Sequence, residues 1–320
     1  MNSCKTSRRF LYCIIAISVI FHAFALGIFA GEEVEFDGWR AYRILKEQCA
    51  LGYRVPGSAV SRDCADFIQN HLEELGIQVK RQSFEAYLHL TDSSITGVNL
   101  IGLYQGDKPS SDLLALSAHY DTRPIAEKDP NPAFRRKPII GANDGASGVA
   151  LLLEMARVLK ERRYPGRILF LFFDVEDSGI PGNIAEWCLG SEYFASHALG
   201  EYPITAGINF DMIGDRDLMI KPEQFSCRMA PDMTESFWEF AQARAPFHFS
   251  KIPQNRQIFD DHLPFLKKGI PYINVIDFDY PWWHTQEDTP DKCSPISLRK
   301  VGNIAVKYLF FRQKNLQNNP

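Results

Sequence analysis

The chain has 320 residues, of which 45% are hydrophobic and 23% charged, with a formal net charge of -4. This is enough apolar material for one large core, and the mix argues against extended disorder. The acidic balance argues against nucleic acid as a partner, because neutralising phosphates takes a basic face.

The N-terminus differs from the rest. "MNSCKTSRRF" carries Lys5, Arg8 and Arg9 without an acid and runs into the apolar "LYCIIAISVIFHAFALGIFA", which ends in small residues before "GEEVEFDG". That order is the charged head, apolar body and small-residue exit of a secretory signal, with cleavage after Ala25 or Ala30. The alternative is an uncleaved anchor, since Leu11 to Ala30 is long enough to span a bilayer as one helix. Residues 1–30 are therefore read as signal or anchor and 31–320 as the exported domain, with a membrane involved only through that segment. Export permits disulfides. Beyond the leader, Cys49, Cys64, Cys188, Cys227 and Cys293 form an odd set without a close-spaced pair. Scattered thiols with at most one or two bridges fit this better than a metal-binding CxxC pattern.

Residues 58–76 place Val60, Cys64, Phe67, Ile68, Leu72 and Leu75 at the spacing of one helical face, with Ser58 as N-cap and Gly76 as stop. "DGASGVALLLEMARVLK" predicts a more hydrophobic helix, and Ser294 to Phe311 another amphipathic one. Between them lie the short apolar runs "LLALSAH", "ILFLFFD", "AGINFDMI" and "PYINVID". Continuous apolar strands alternating with helices predict an α/β domain with a mostly parallel central sheet flanked by helices. The first three runs end in polar residues: His119 and Asp121, then Glu176 and Asp177, then Asp211. In such sheets ligands bind outside the carboxyl ends of the strands, so these side chains should share one rim.

The candidates for chemistry are "SAHYDTRP", "GANDGASG", "FDVEDSG", "NFDMIGD", "FDDHLPF" and "PWWHTQEDT". A hydrolytic zinc site needs three or four His and carboxylate ligands, an open position, and a carboxylate that moves protons without ligating. Each motif also has a bland reading: Asp144 as a turn or helix cap, His119 as a core histidine, Asp260 and Asp261 as caps, Trp282 and Trp283 as core filling. Their number and order favour a site. The basic run Arg135, Arg136 and Lys137 reads as a solvated loop.

"AHYDTRP", "GANDGASGVALLLEMARVL", "GSEYFA", "DDHLPFLKKGIP" and "WHTQEDT" resemble, in order, the blocks of the zinc aminopeptidase and glutaminyl cyclase superfamily, over Val55 to the last helix. The resemblance implies zinc ligands at Asp144, Asp177 and His284, and a general acid/base at Glu176. In two-zinc aminopeptidases His119 and Asp211 complete a second metal site. Many members carry Glu where this chain has Asp177, which requires the strand end to come closer to the metal. Trp187 and Trp283 resemble the substrate-binding indoles of the cyclase branch, and the block around Asp261 resembles that branch too, implying an acid cluster of Glu176, Asp211 and Asp261. The implied activity is conversion of an N-terminal glutamine of peptides to pyroglutamate with release of ammonia. The alternatives are a secreted zinc aminopeptidase acting on the first peptide bond, and a catalytically dead binding protein of the same fold.

Overall fold

The computed structural model describes residues 35–318 except 109–111. The leader therefore lies outside the described residues, and no described helix is long and apolar enough to cross a membrane.

The elements run α1 (Gly38–Leu51), α2 (Ala59–Glu74), β1 (Val79–Leu88), β2 (Ser93–Gln105), β3 (Leu113–His119), α3 (Ala146–Glu161), β4 (Arg167–Phe173), α4 (Leu189–His197), β5 (Ala206–Asp211), α5 (Gln224–Met229), α6 (Pro231–Gln242), α7 (Leu263–Lys267), β6 (Tyr272–Ile276) and α8 (Pro295–Asn318). They build one six-stranded sheet of order β1-β2-β4-β3-β5-β6. Strands β4, β3, β5 and β6 are parallel, as the apolar runs predict. β1 and β2 add an antiparallel pair at one edge, so the sheet is mixed.

All seven residues of β3 are buried, as are six of the seven in β4, because helices cover both faces. Helices α1 and α8 pack on α3, which lies against β3 and β5, while α4 contacts β1 and β2 from the other face. Helix α2 starts and stops where the sequence signals it. The Ser58 hydroxyl accepts from the Ser61 amide at 3.0 Å, and the chain leaves through Gly76 at φ +73°. Among the described residues all five cysteines are free thiols. They therefore add none of the loop-closure effect of a bridge.

The parallel strands end level with one another. His119 is in register with Phe173, and Asp211 with Ile276. The residues that follow emerge along one rim.

Candidate active site

Three non-glycine residues at the rim have left-handed backbone: Val175 (φ 60°), Met212 (φ 45°) and His284 (φ 56°). For a β-branched residue such as Val175 this costs about 1–3 kcal/mol, and it persists only where the surroundings over-determine it. The sharp bend at Val175 turns the chain between Asp174 and Glu176. Asp174 stays behind as support, accepting from the amides of Val98 and Val175 at 3.0 Å each. Burial, reinforced by Asp121, pushes its carboxyl up to about 7. The amides of Glu176 and Asp177 both donate to the Asp121 carboxylate, each at 3.1 Å. Asp121 thus sets the loop on which the acid pair sits.

Asp144 precedes α3 but does not cap it; Gly145 is the N-cap, and no side chain bonds there. A Cβ on Gly145 would come within 2.9 Å of the His119 imidazole, so only glycine allows the helix to begin this close to β3. The amides of Asn143 and Asp144 donate to Asp288 at 2.9 and 3.1 Å. The buried Arg54 guanidinium ties the same loop to β3 by donating to the carbonyls of Tyr120, Ile140 and Gly141. Asp144 is therefore held from both flanks before any ligand arrives.

Asp144, Asp177 and His284 come together as the resemblance implies, their candidate ligand atoms lying within 4.8 Å of one another and all three residues buried. His284 Nε2 is 3.1 Å from Asp177 Oδ1 and 3.6 Å from Asp144 Oδ2. A second group, His119, Asp144 and Asp211, shares Asp144 and meets the same criterion. There His119 Nε2 lies 3.1 Å from Asp144 Oδ1 and 3.3 Å from Asp211 Oδ1. The chemistry of these donors fits a cation. Asp144 Oδ2 and Asp177 Oδ2 are buried without a hydrogen-bond donor, a costly state for carboxylates unless positive charge compensates it. The neighbouring carboxylates also favour positive charge on the two histidines. Burial works to lower the His284 imidazole, but Asp177 and Glu127 overcome it and lift it to about 9. His119 is likewise raised against its burial by Asp121, Asp144 and Asp211.

Glu176 points to a different place. Its Oε1 accepts from the Cys188 thiol at 3.3 Å, and burial, with Asp177, Asp260 and Asp261 adding, raises its carboxyl well above the ordinary range. Asp211 is pushed up to about 7 by burial and by Asp260, against the bond to His119. Asp261 is fully buried, and neither of its oxygens has a hydrogen-bond partner within range. Burial and Asp260 raise its carboxyl strongly. Its neighbour Asp260 is among the residues lining the cavity, and Asp261 adds to the charge that raises Glu176. Asp260 in turn accepts from Asn209 and Asn274 at 2.9 and 2.7 Å. Neither Asp260 nor Asp261 caps α7, whose N-cap is His262.

A cavity of about 430 Å³ opens onto Glu176, Asp177, Asp144, Asp211 and His284. Trp187 and Trp283 both line it. The Trp187 ring lies parallel to the His284 imidazole, 2° apart at 6.1 Å, and Trp283 sits 4.0 Å from it. A Cβ on Gly179 would fall 2.4 Å from the Trp187 ring, so this glycine is what lets the indole settle on the loop.

Sequence reasoning missed Arg123 and Glu127. Glu127 Oε1 is 2.7 Å from His284 Nδ1 and fixes that ring's orientation. Against its burial, hydrogen bonds from His284 and Arg123 hold Glu127 down at about 2. Arg123, itself fully buried, donates to Glu127, to the Asp177 carbonyl and carboxylate and to the Gly179 carbonyl, and lies 4.6 Å from the Trp187 ring centre. Both residues sit in "TRPIAEKD", which carries no spacing signal for a site. Such carboxylate partners of ligating histidines are worth roughly 10–100-fold in metal affinity. Glu127→Gln is therefore expected to weaken metal binding by about that factor while the fold persists, read by competition with a chromogenic chelator beside a circular dichroism melt. An unchanged affinity would remove Glu127 from the site.

A buried cluster of carboxylates and histidines able to hold a metal, on the rim of a parallel sheet with a separate carboxylic acid beside it, is what a metal-dependent α/β enzyme requires. The chain belongs to peptidase family M28, whose model matches residues 99–309. It is similar to the aminopeptidase YwaD of Bacillus subtilis, 26% identical over 255 residues, which make up 73% of this chain and 50% of that protein. A glutaminyl-peptide cyclotransferase-like protein of Bos taurus is 24% identical over 289 residues, 81% of this chain and 72% of its own length. The chain thus spans half the length of the first relative and about three-quarters of the second. Among solved structures, a glutaminyl cyclase of Bacteroides thetaiotaomicron bound to N-acetylhistamine superposes with a TM-score of 0.80 at 32% identity, over 87% of this chain and 99% of that one.

Proposed function

We propose that the protein is a zinc-dependent glutaminyl-peptide cyclotransferase that acts on exported peptides or proteins with N-terminal glutamine. The observation that carries this reading is the aromatic recess: Trp187 and Trp283 flank His284 in a cavity of about 430 Å³ whose floor holds Glu176. Flat walls suit a small planar amide next to the ligands.

Asp144, Asp177 and His284 would hold a zinc ion, which would supply Lewis-acid polarisation of the substrate's side-chain carbonyl. Glu176 removes a proton from the attacking α-amine and returns one to the departing nitrogen, so that the C–N bond of the lactam forms and ammonia leaves. A carboxyl raised by burial is a stronger base when ionised than a surface glutamate, which suits a group that must take and give a proton near neutral pH. The Cys188 thiol holds Oε1, leaving the other oxygen for substrate. The indoles orient the N-terminal residue, and ring closure within one molecule gains mainly from such orientation. The leader, read as an export signal, puts the reaction outside the cytoplasm.

One observation favours a second reading. The His119, Asp144 and Asp211 group is a further place for a metal, the arrangement a two-metal aminopeptidase needs. A single experiment separates the two: zinc-loaded protein is incubated with a Gln-initiated and a Leu-initiated peptide and both are followed by mass spectrometry. The expected result is loss of ammonia from the first and no cleavage of either; release of the first residue overturns the cyclase reading in favour of the aminopeptidase.

A further inference from the structure

The cavity's charged lining is one-sided. Apart from Lys128, no lysine or arginine lines it, and its acidic side chains lie around the ligands. Lys128 is exposed; its amide donates to the His284 carbonyl at 3.2 Å, and its ammonium stands 5.5 Å from the centre of the Trp283 ring. Trp283 packs against Phe278 at 4.9 Å, and the exposed Arg256 guanidinium stands 5.3 Å from the centre of that second ring. Both rings line the cavity. Among the described residues, neither cation is in an ion pair with any acid: Asp279 is taken by Lys221, and Glu127 by Arg123 and His284. Two unneutralised cations thus flank one aromatic pair beside a pocket with an acidic interior.

Exposed cations are normally solvated and serve no partner. These two differ in standing over rings that line the cavity, and the Lys128 backbone is bonded to the loop of His284. An extended peptide advances about 3.5 Å per residue. With its first residue at the ligands, a peptide's second and third residues would still lie close to the cavity, whose lining includes Trp283 and Phe278.

We infer that Lys128 and Arg256 form a basic clamp that selects substrates with a carboxylate side chain at the second or third position. The inference rests on the reading of the cavity as a site for peptide N-termini, and it deepens that reading by naming the substrate class. The acidic interior takes the substrate's amino end and the clamp takes the acid that follows, so charge also sets the direction of entry.

The test compares kcat/KM for three peptides of one length that begin Gln-Glu-Glu, Gln-Ala-Ala and Gln-Lys-Lys. The wild-type enzyme is expected to prefer the acidic peptide over the neutral one by roughly two- to fivefold, as exposed charge pairs allow, and to disfavour the basic one. The K128E/R256E double variant should invert the order. In the wild type, about 1 M salt, where the Debye length falls to about 3 Å, should flatten it; this arm needs no variant. Equal kcat/KM for all three peptides on wild type at low salt overturns the clamp. If no Gln-initiated peptide is converted while Leu-initiated ones are cleaved, the cyclase reading fails. The same charge series on Leu-initiated peptides then decides the clamp by the same criterion.

Discussion

Glu176→Gln is expected to lower kcat by roughly 10²–10⁴-fold, the range a positioned general acid/base contributes. The variant should still bind metal at wild-type stoichiometry, because Asp144, Asp177 and His284 are untouched. It should also fold. The glutamine keeps the shape and retains an acceptor for the Cys188 thiol at the position of Oε1. It also removes an ionisable group whose charged form burial disfavours, so at neutral pH the variant should be no less stable than the wild type. Steady-state kinetics beside elemental analysis of the purified protein checks both halves. Wild-type turnover by this variant would sink the assignment of the proton shuttle.

His284→Ala should abolish high-affinity metal binding, and with it activity. The imidazole is the only nitrogen in its three-residue group, and Trp187, Trp283 and Glu127 are all arranged around it. An ion that binds only the folded state stabilises it by about 4 kcal/mol at a thousandfold excess over Kd. Zinc titrated into metal-free wild type should therefore raise the thermal midpoint progressively, whereas the variant's midpoint should stay where it began. A variant that still showed the full metal-dependent shift would move the ligand role elsewhere, with His119, Asp144 and Asp211 the first place to look.

Much of this site was legible because its residues stand where periodic structure stops. His119, Asp211 and the Glu176–Asp177 pair each follow an apolar strand, and parallel strands deliver their ends to one rim. Asp144 and His284 became legible only through likeness to known blocks, since an aspartate before glycine and a histidine after two indoles have ordinary structural explanations. The antiparallel edge was not seen. From Ser83 on, "VKRQSFEAYL" alternates exposed residues with the buried or partly buried Phe84, Ala86 and Leu88, and its charges reflect an edge open to water on one side. The supporting residues were the least visible. Arg54, Arg123 and Glu127 act across 54 to 157 positions of sequence, through bonds that only the folded chain creates. Asp261 was legible in its block as part of an acid cluster, and it is one of the carboxylates whose charge raises Glu176.

One carboxylate gives the metal centre a property of its own. Asp144 faces His119 with Oδ1 and His284 with Oδ2, so the two groups draw on the same side chain. Occupancy of one is thereby thermodynamically linked to occupancy of the other, and by reciprocity each ion shifts the affinity for its neighbour by the same factor. Under the two-metal reading, a metal titration of this protein would then not describe two independent sites. If both groups take metal, the number of ions bound would depend on the free metal concentration as well as on the residues themselves.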